Sequence, residues 1–395
     1  MNVLLIAYRP PDPRGKGDAK IASHVSETLV SDGHTVLLAV PSPVSAVRKS
    51  LHVVSAMVSR QPLQVGVTRS RALRDEVKRI LRTMDIDLVV AVHARMAHYV
   101  PRELRSRSIA FLYDATALGY ATYAGRLPYW IDPVFRLERR RMMTLERIIV
   151  EQFGRVAVLA QPDLLHLRSL SPLAAPIIRV PYSVDLAYFS RTIRRPRKDP
   201  PLFVFVGRLG YLPNQDAVRQ LVTRVWPAIR ARWPGARMRV VGARPEKNLR
   251  LLLARQGVEL AADVDDVRNE LEEATALMVP MRMGTGVQTK VLEAMAAGVP
   301  VICSAFANGG LNATPSEHLL IAESPDEYVM HAERLVEDPA FSEDLVARAR
   351  TWVSTQYGSA VFKASFMSLC HDLVPTPLAT SGSHGLIDSP RLRAG

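Results

Sequence analysis

The chain opens on a short apolar run, VLLIAY. It is followed by the Pro- and Gly-rich RPPDPRGKGD and by AKIASHVSETLVSDGH, whose apolar positions recur at helical spacing. TVLLAV comes next, so residues 1–40 read strand, loop, helix, strand. Asp18 is placed to cap that helix and Gly33 to stop it. Further strands are predicted at Asp87–Val92, Ile109–Asp114 and Arg155–Ala160, with a long helix around Leu137–Phe153. Such alternation of strands and helices implies a parallel, doubly wound sheet.

SRTIRRPRKDPP then interrupts the pattern with charge and proline, as a linker does, and the alternation restarts at LFVFVGR. A helix over Asn214–Trp233 is predicted, then the strand RMRVVGA and a helix over Glu246–Gln256. The turn ADVDDVRNELEEA, the strand ALMVP, the helix KVLEAMAAG and the strand VPVICS complete a second core. Residues 342–373 read as helical, and the small, polar, Pro-containing tail reads as disordered. The expected organisation is α/β, with two Rossmann-like domains over 1–190 and 191–373 and a tail over 374–395. A length of 395 residues suits two such cores, and an apolar fraction of 48% is enough to close them.

The formal charge of +13 favours anionic partners. Its densest blocks, RLERRRMMTLER and RTIRRPRK, lack the interleaved aromatics of a nucleic-acid reader, so nucleic acid is set aside. For the first block, a solvated face or peripheral contact with an anionic membrane is expected. Cys303 and Cys370 offer neither metal-ligand spacing nor a disulfide framework, which fits a reducing cytoplasm. The N-terminal run is too short for a secretory signal, and no stretch is long enough to span a bilayer.

Ligands of open parallel sheets gather at the carboxyl ends of strands, where helix N-termini face a diphosphate. Four places qualify. Gly15 and Gly17 follow the first strand and permit close backbone approach, although glycine is common in any strand–helix loop. Arg208 follows LFVFV directly, where a guanidinium either grips phosphate oxygens or is simply solvated. Gly284, Thr285 and Gly286 precede a helix whose free N–H groups form an anion-binding concavity, with Lys290 and Glu293 further along it. His93 and Asp114 stand at strand ends of the first domain, where they would face the second. ADVDD invites reading as a metal-binding D-x-D motif, but Asp266 serves better as the cap of the following helix.

These residues together resemble the retaining GT-B glycosyltransferases of family GT4, also called group 1. The resemblance covers nearly the whole chain except the tail and is strongest in FVGRLGYLPNQDAV, RMRVVGARP and MGTGVQTKVLEAMAAGVPVI. It implies a GT-B fold, with two domains facing each other across a cleft, and a nucleoside diphosphate sugar as substrate, without cofactor or metal. It also implies diphosphate contacts at Arg208 and at Gly15 and Gly17, and a ribose contact at Glu293. Asp114 falls near the position of a histidine beside the reacting sugar, with His93 one strand end before it. The chain departs from the family pattern in four places. Thr285 stands where the first glutamate of E-x7-E is usual. Asn214 replaces a lysine, with Lys290 as the candidate to restore the charge. Tyr182 and Ser183 replace an Asn-Gly pair.

The expected reaction is glycosyl transfer to an acceptor hydroxyl with retention, in polysaccharide, glycolipid or natural-product assembly, by a cytoplasmic enzyme, either free or associated with the cytoplasmic face of the membrane. The rival readings are a sugar-nucleotide epimerase of the same fold and a binding protein that has lost catalysis. Acceptor contacts are expected at Pro41–Gly66 and at Gly119–Pro133. The aromatics of the second stretch, Tyr120, Tyr123, Tyr129 and Trp130, with Phe135 just beyond it, suit either sugar stacking or core filling.

Overall fold

The computed structural model describes residues 1–13, 15–41, 61–190 and 199–373. The linker segment 191–198, the tail from 374 and part of the first acceptor stretch (42–60) lie outside the described residues.

Two six-stranded parallel sheets form the framework. The first contains β1 (Asn2–Ile6), β2 (Thr35–Ala39), β3 (Leu88–Val92), β4 (Ser108–Tyr113), β5 (Arg155–Val158) and β6 (Ile177–Arg179), in the order 2-1-3-4-5-6. The second contains β7 (Leu202–Val206), β8 (Arg237–Gly242), β9 (Glu259–Ala262), β10 (Ala276–Val279), β11 (Val301–Cys303) and β12 (Leu320–Ile321), in the order 12-11-10-7-8-9. The strand order therefore reverses between β1 and β3 in one sheet and between β7 and β10 in the other. A crevice opens at each reversal, because the flanking connections leave toward opposite faces. The loops after β1, β3, β7 and β10 are those that carry Gly15, His93, Arg208 and Gly284.

Three strands have no counterpart in the sequence reading. β6, β9 and β12 have two to four residues each, and such short edge strands carry too little pattern to stand out from a loop. The helix predicted over Asn214–Trp233 runs from Leu212 to Arg232 with a π-turn at Leu221–Val225. The long first-domain helix starts earlier than its apolar pattern, at Asp132, and ends at Gln152. The expectation for Asp18 is corrected: it lies inside the helix Gly17–Ser31, the capping position is Lys16, and the Asp18 carboxylate pairs with Arg9.

The final helix, Ser359–His371, returns to the first domain. Phe362 and Phe366 are fully buried and lie against Phe111 of β4, with centroids 6.2 and 6.0 Å away. Burial of each ring is worth about 2–3 kcal/mol. The half-exposed ion pair of Lys363 on the same helix with Asp32 of the first domain, at 3.2 Å, adds at most about 1 kcal/mol, so packing is what holds the chain's end across the two domains.

Gly310 sets the position of the Gly284–Gly286 loop. A Cβ at residue 310 would overlap the Gly286 carbonyl oxygen, whereas one at Gly309 meets open space. We expect Gly310→Ala to destabilise the fold by about 1–3 kcal/mol in urea denaturation. The control Gly309→Ala should stay within about 0.5 kcal/mol. Equal stability of the two variants would show that the loop is not braced there.

Candidate functional site

The two switch points face each other across a cavity of about 800 Å³. From the first domain it is lined by Arg9, the Gly15–Gly17 turn, Lys20, His93, Arg95 and Asp114, and from the second by Arg208, Arg244, Thr285, Lys290 and Glu293, among others. The structure thus brings every sequence-derived site residue to one cleft, with Gly284 and Gly286 just behind its wall. His93, Tyr113, Arg244 and Asp263 are four of the six described non-glycine residues with positive φ, and all four line this cavity. Backbone strain of this kind persists where the surroundings over-determine it, and it concentrates at functional sites.

Arg208 follows β7 and keeps its guanidinium free of ion pairs among the described residues, while its carbonyl accepts from Asn214 Nδ2 at 3.0 Å. Asn214 Oδ1 in turn accepts from Lys290 Nζ at 2.9 Å, and Gln288 Oε1 accepts from the same ammonium at 3.0 Å. Lys290 therefore does reach the place where Asn214 stands. Burial lowers its pKa to about 8, with Glu293 acting in the opposite direction. Lys16, between Gly15 and Gly17, is also held below the ordinary lysine range, first by burial and then by Arg9, Arg208 and Arg244. Five cations from both domains thus converge, Arg9, Lys16, Arg208, Arg244 and Lys290, and among the described residues only Arg9 of the five forms an ion pair, with Asp18.

The glycine loop differs from the concavity of free amides expected for it. The N–H of Gly284 donates to Thr122 Oγ1 at 2.9 Å, and Thr285 Oγ1 donates to Asp163 Oδ1 at 2.7 Å. Both partners belong to the first domain, so part of the loop's hydrogen-bonding capacity joins the domains. Tyr123 and Tyr211 also hydrogen-bond across the cleft. Glu293 meets Lys20 at 2.8 Å; burial pulls the Lys20 pKa down, but the Glu293 carboxylate and then Tyr182 outweigh it and leave it raised.

Asp114 is turned into the cleft by a register break in β4 between Phe111 and Tyr113. Its pKa rises to about 8, mainly through burial and then through the Asp163 carboxylate, with Glu146 adding to it and a 3.1 Å bond from Thr116 opposing it. At neutral pH the group is largely protonated and can donate a hydrogen bond. His93 is buried and its pKa is lowered well below the usual value, first by burial and then by Arg95 and Arg9. As a neutral ring it accepts from the Arg95 guanidinium, with Nη2 to Nε2 at 2.7 Å. Tyr120 and Tyr123 line the cavity with Phe135 behind them, whereas Tyr129 and Trp130 stand outside it.

The D-x-D segment carries no metal constellation. Asp266 caps the helix Val267–Leu271 through the Arg268 N–H, and Asp263 Oδ1 accepts from the Arg244 N–H at 3.1 Å. Among the described residues no group of three His, Cys, Asp or Glu side chains is placed to hold a metal ion.

Sequence reasoning missed Arg9, Lys16, Lys20, Arg95, Thr122, Asp163 and Arg244. Arg244 carried a usable signal, since it follows the strand RMRVVGA much as Arg208 follows LFVFVG. Thr122 and Asp163 carried none, because nothing local marks a hydroxyl or a helical aspartate as a partner of a distant loop.

Residues 200–338 match the family model described as Glycosyl transferases group 1. No curated protein sequence matches the chain. The solved sucrose-phosphate synthase of Thermosynechococcus elongatus is similar in fold over 94% of this chain and 98% of its own, with a TM-score of 0.71 and 17% identity. The unliganded OtsA structure is similar over 96% and 100%, with a TM-score of 0.67 and 13% identity. HepE of Anabaena, solved with UDP and glucose, is similar over 93% and 98%, with a TM-score of 0.62 and 12% identity. At these identities the likeness is one of fold. The chain therefore shares the two-domain α/β fold of those glycosyltransferase structures, and its residues 200–338 match the group 1 glycosyltransferase model.

Proposed function

We propose that the protein transfers a glycosyl unit from a nucleoside diphosphate sugar to an acceptor hydroxyl, with retention and without a metal ion. The observation that carries this reading is the convergence of Lys16, Arg208, Arg244 and Lys290 on one cleft between two switch points. Departure of a diphosphate from the sugar leaves negative charge that must be stabilised as an oxocarbenium-like centre forms. Fixed cations in a cleft between the two domains supply that stabilisation without reorganising. Arg208 and Lys290, with the turns around Gly15 and Gly17 and at Gly286, would hold the diphosphate, and Glu293 would hold the ribose. Glu293 now accepts from Lys20, so ribose hydroxyls would share or replace that contact.

Calorimetry with UDP, GDP and ADP tests this donor reading. One of them should bind the wild type, and Glu293→Ala should weaken it by about 10–100-fold, the usual effect of losing a hydrogen bond to a charged group. Unchanged affinity in the variant would remove Glu293 from the nucleoside site.

The outer face of the helix Asp132–Gln152 supports a peripheral membrane location for the reaction. Tyr129 and Trp130 are 84% and 65% exposed, and Val134, Leu137 and Ile148 continue the apolar stripe along that helix. Arg136, Arg139, Arg140 and Arg147 are exposed on the same helix. An apolar stripe with aromatic tips beside arginines suits peripheral contact with an anionic bilayer, on the cytoplasmic side in this reading. No described helix is long and apolar enough to cross a membrane. The protein should co-sediment with phosphatidylglycerol vesicles but not with phosphatidylcholine ones, and Trp130→Ala should reduce the bound fraction. Equal sedimentation with both lipids would argue against this surface.

A further inference from the structure

Five cationic side chains on the cavity wall have no ion-pair partner among the described residues: Lys16, Arg95, Arg208, Arg244 and Lys290. A nucleotide-sugar diphosphate brings one negative charge per phosphate, and Asp263 lies against the Arg244 backbone. Asp114, largely protonated at neutral pH, offsets little. Positive charge is left over, and Arg95, on the first-domain side, is the one of the five not assigned above to the donor diphosphate.

The placement of Arg95 is specific. Its guanidinium lies against the His93 ring, with Nε to Nε2 at 3.1 Å and Nη2 to Nε2 at 2.7 Å. It also sits over the Tyr8 ring, 4.7 Å from the centroid, and hydrogen-bonds Tyr113. Arg9 packs on the same Tyr8 ring at 4.8 Å and lies within the field of both His93 and Lys16. Holding a guanidinium on a neutral imidazole and two aromatic rings, beside another guanidinium, leaves it without an ion pair among the described residues, and the carboxyl that feels its charge is Asp114. His93 accepts a φ of 82° in doing so, a conformation that a non-glycine residue keeps only under constraint. A cation fixed in this way is pre-organised for an anion that arrives from outside.

We infer that the first-domain wall holds a second anion seat, centred on Arg95 with Arg9 beside it on the shared Tyr8 ring, which takes a phosphate group on the acceptor. This inference rests on the donor reading for the first anion. The acceptor class is then a phosphorylated alcohol, with its reacting hydroxyl turned toward Asp114 and the donor sugar. His93 acts as a positioning residue for Arg95.

The test is calorimetric titration of inorganic phosphate into protein already saturated with UDP, or with whichever of GDP and ADP binds. One phosphate per chain should bind. Arg95→Gln should weaken phosphate by about tenfold or more, since a charge-assisted bond is lost. The same variant should leave the nucleotide within about twofold, because the two seats are separate. Arg208→Gln should do the reverse, and Arg95→Lys, which keeps the charge, should recover part of the phosphate binding. Absence of phosphate binding to the nucleotide-loaded protein overturns the seat. So does an Arg95→Gln variant that binds phosphate normally, or one that loses nucleotide as severely as phosphate. If no nucleotide binds the wild type, the donor reading fails instead. Phosphate titrated alone into wild type and Arg95→Gln then still decides the seat.

Discussion

Arg208→Ala should lower kcat/KM for glycosyl transfer by about 10²–10³-fold, the usual consequence of removing one preorganised donor from a developing anion. The loss should fall on kcat more than on KM, because the diphosphate gains charge only as its bond to the sugar breaks. Lys16, Arg244 and Lys290 remain in the variant, so residual turnover is expected rather than none. The structural basis is direct: Arg208 leaves β7 at the switch point of its sheet and has no ion-pair partner among the described residues. Initial rates for wild type and variant with one active donor–acceptor pair decide the matter. Equal rates would place the leaving group elsewhere.

The second large effect concerns Asp114. Its carboxyl titrates near 8, so below that pH it offers a proton for a hydrogen bond to the sugar or the acceptor. The transfer rate should therefore fall as pH rises through about 8. Asp114→Ala should cost about 10²-fold through the unpaired polar groups it leaves, whereas Asp114→Asn keeps a donor and should retain most of the activity with the alkaline limb removed. A profile that rises through pH 8, with Asn as damaging as Ala, would require the ionised carboxylate instead. Stability follows the same linkage. Because the folded pKa is raised above the ordinary 3.8, the stability contributed by this group is fully present below that value. It is lost as pH rises through about 8. Asp114→Asn should accordingly melt higher than wild type at pH 9, relative to their difference at pH 5.

Chain order alone was enough to show two parallel domains and the four loops of the cleft. A buried parallel strand reads as an apolar run, and glycine or arginine directly after it marks the strand's carboxyl end. VLLIA before Gly15, LFVFV before Arg208 and ALMV before Gly284 all carry that signal. The GT4 resemblance supplied roles for these positions that spacing alone could not.

What only the tertiary structure decided are the properties that depend on two distant segments meeting. Lys290 reaches Asn214 across 76 residues of chain, Lys20 meets Glu293 across 273, and Thr285 bonds Asp163 across 122. The pKa of Asp114 comes from burial and from carboxylates on other elements, and Arg95 is left without an ion pair among the described residues because the groups packed against it are His93, Tyr8 and Tyr113. Local sequence fixes which backbone segments pair and where their loops emerge, because those depend on propensity and periodicity. Charge compensation depends on distance through space, which a linear pattern does not encode.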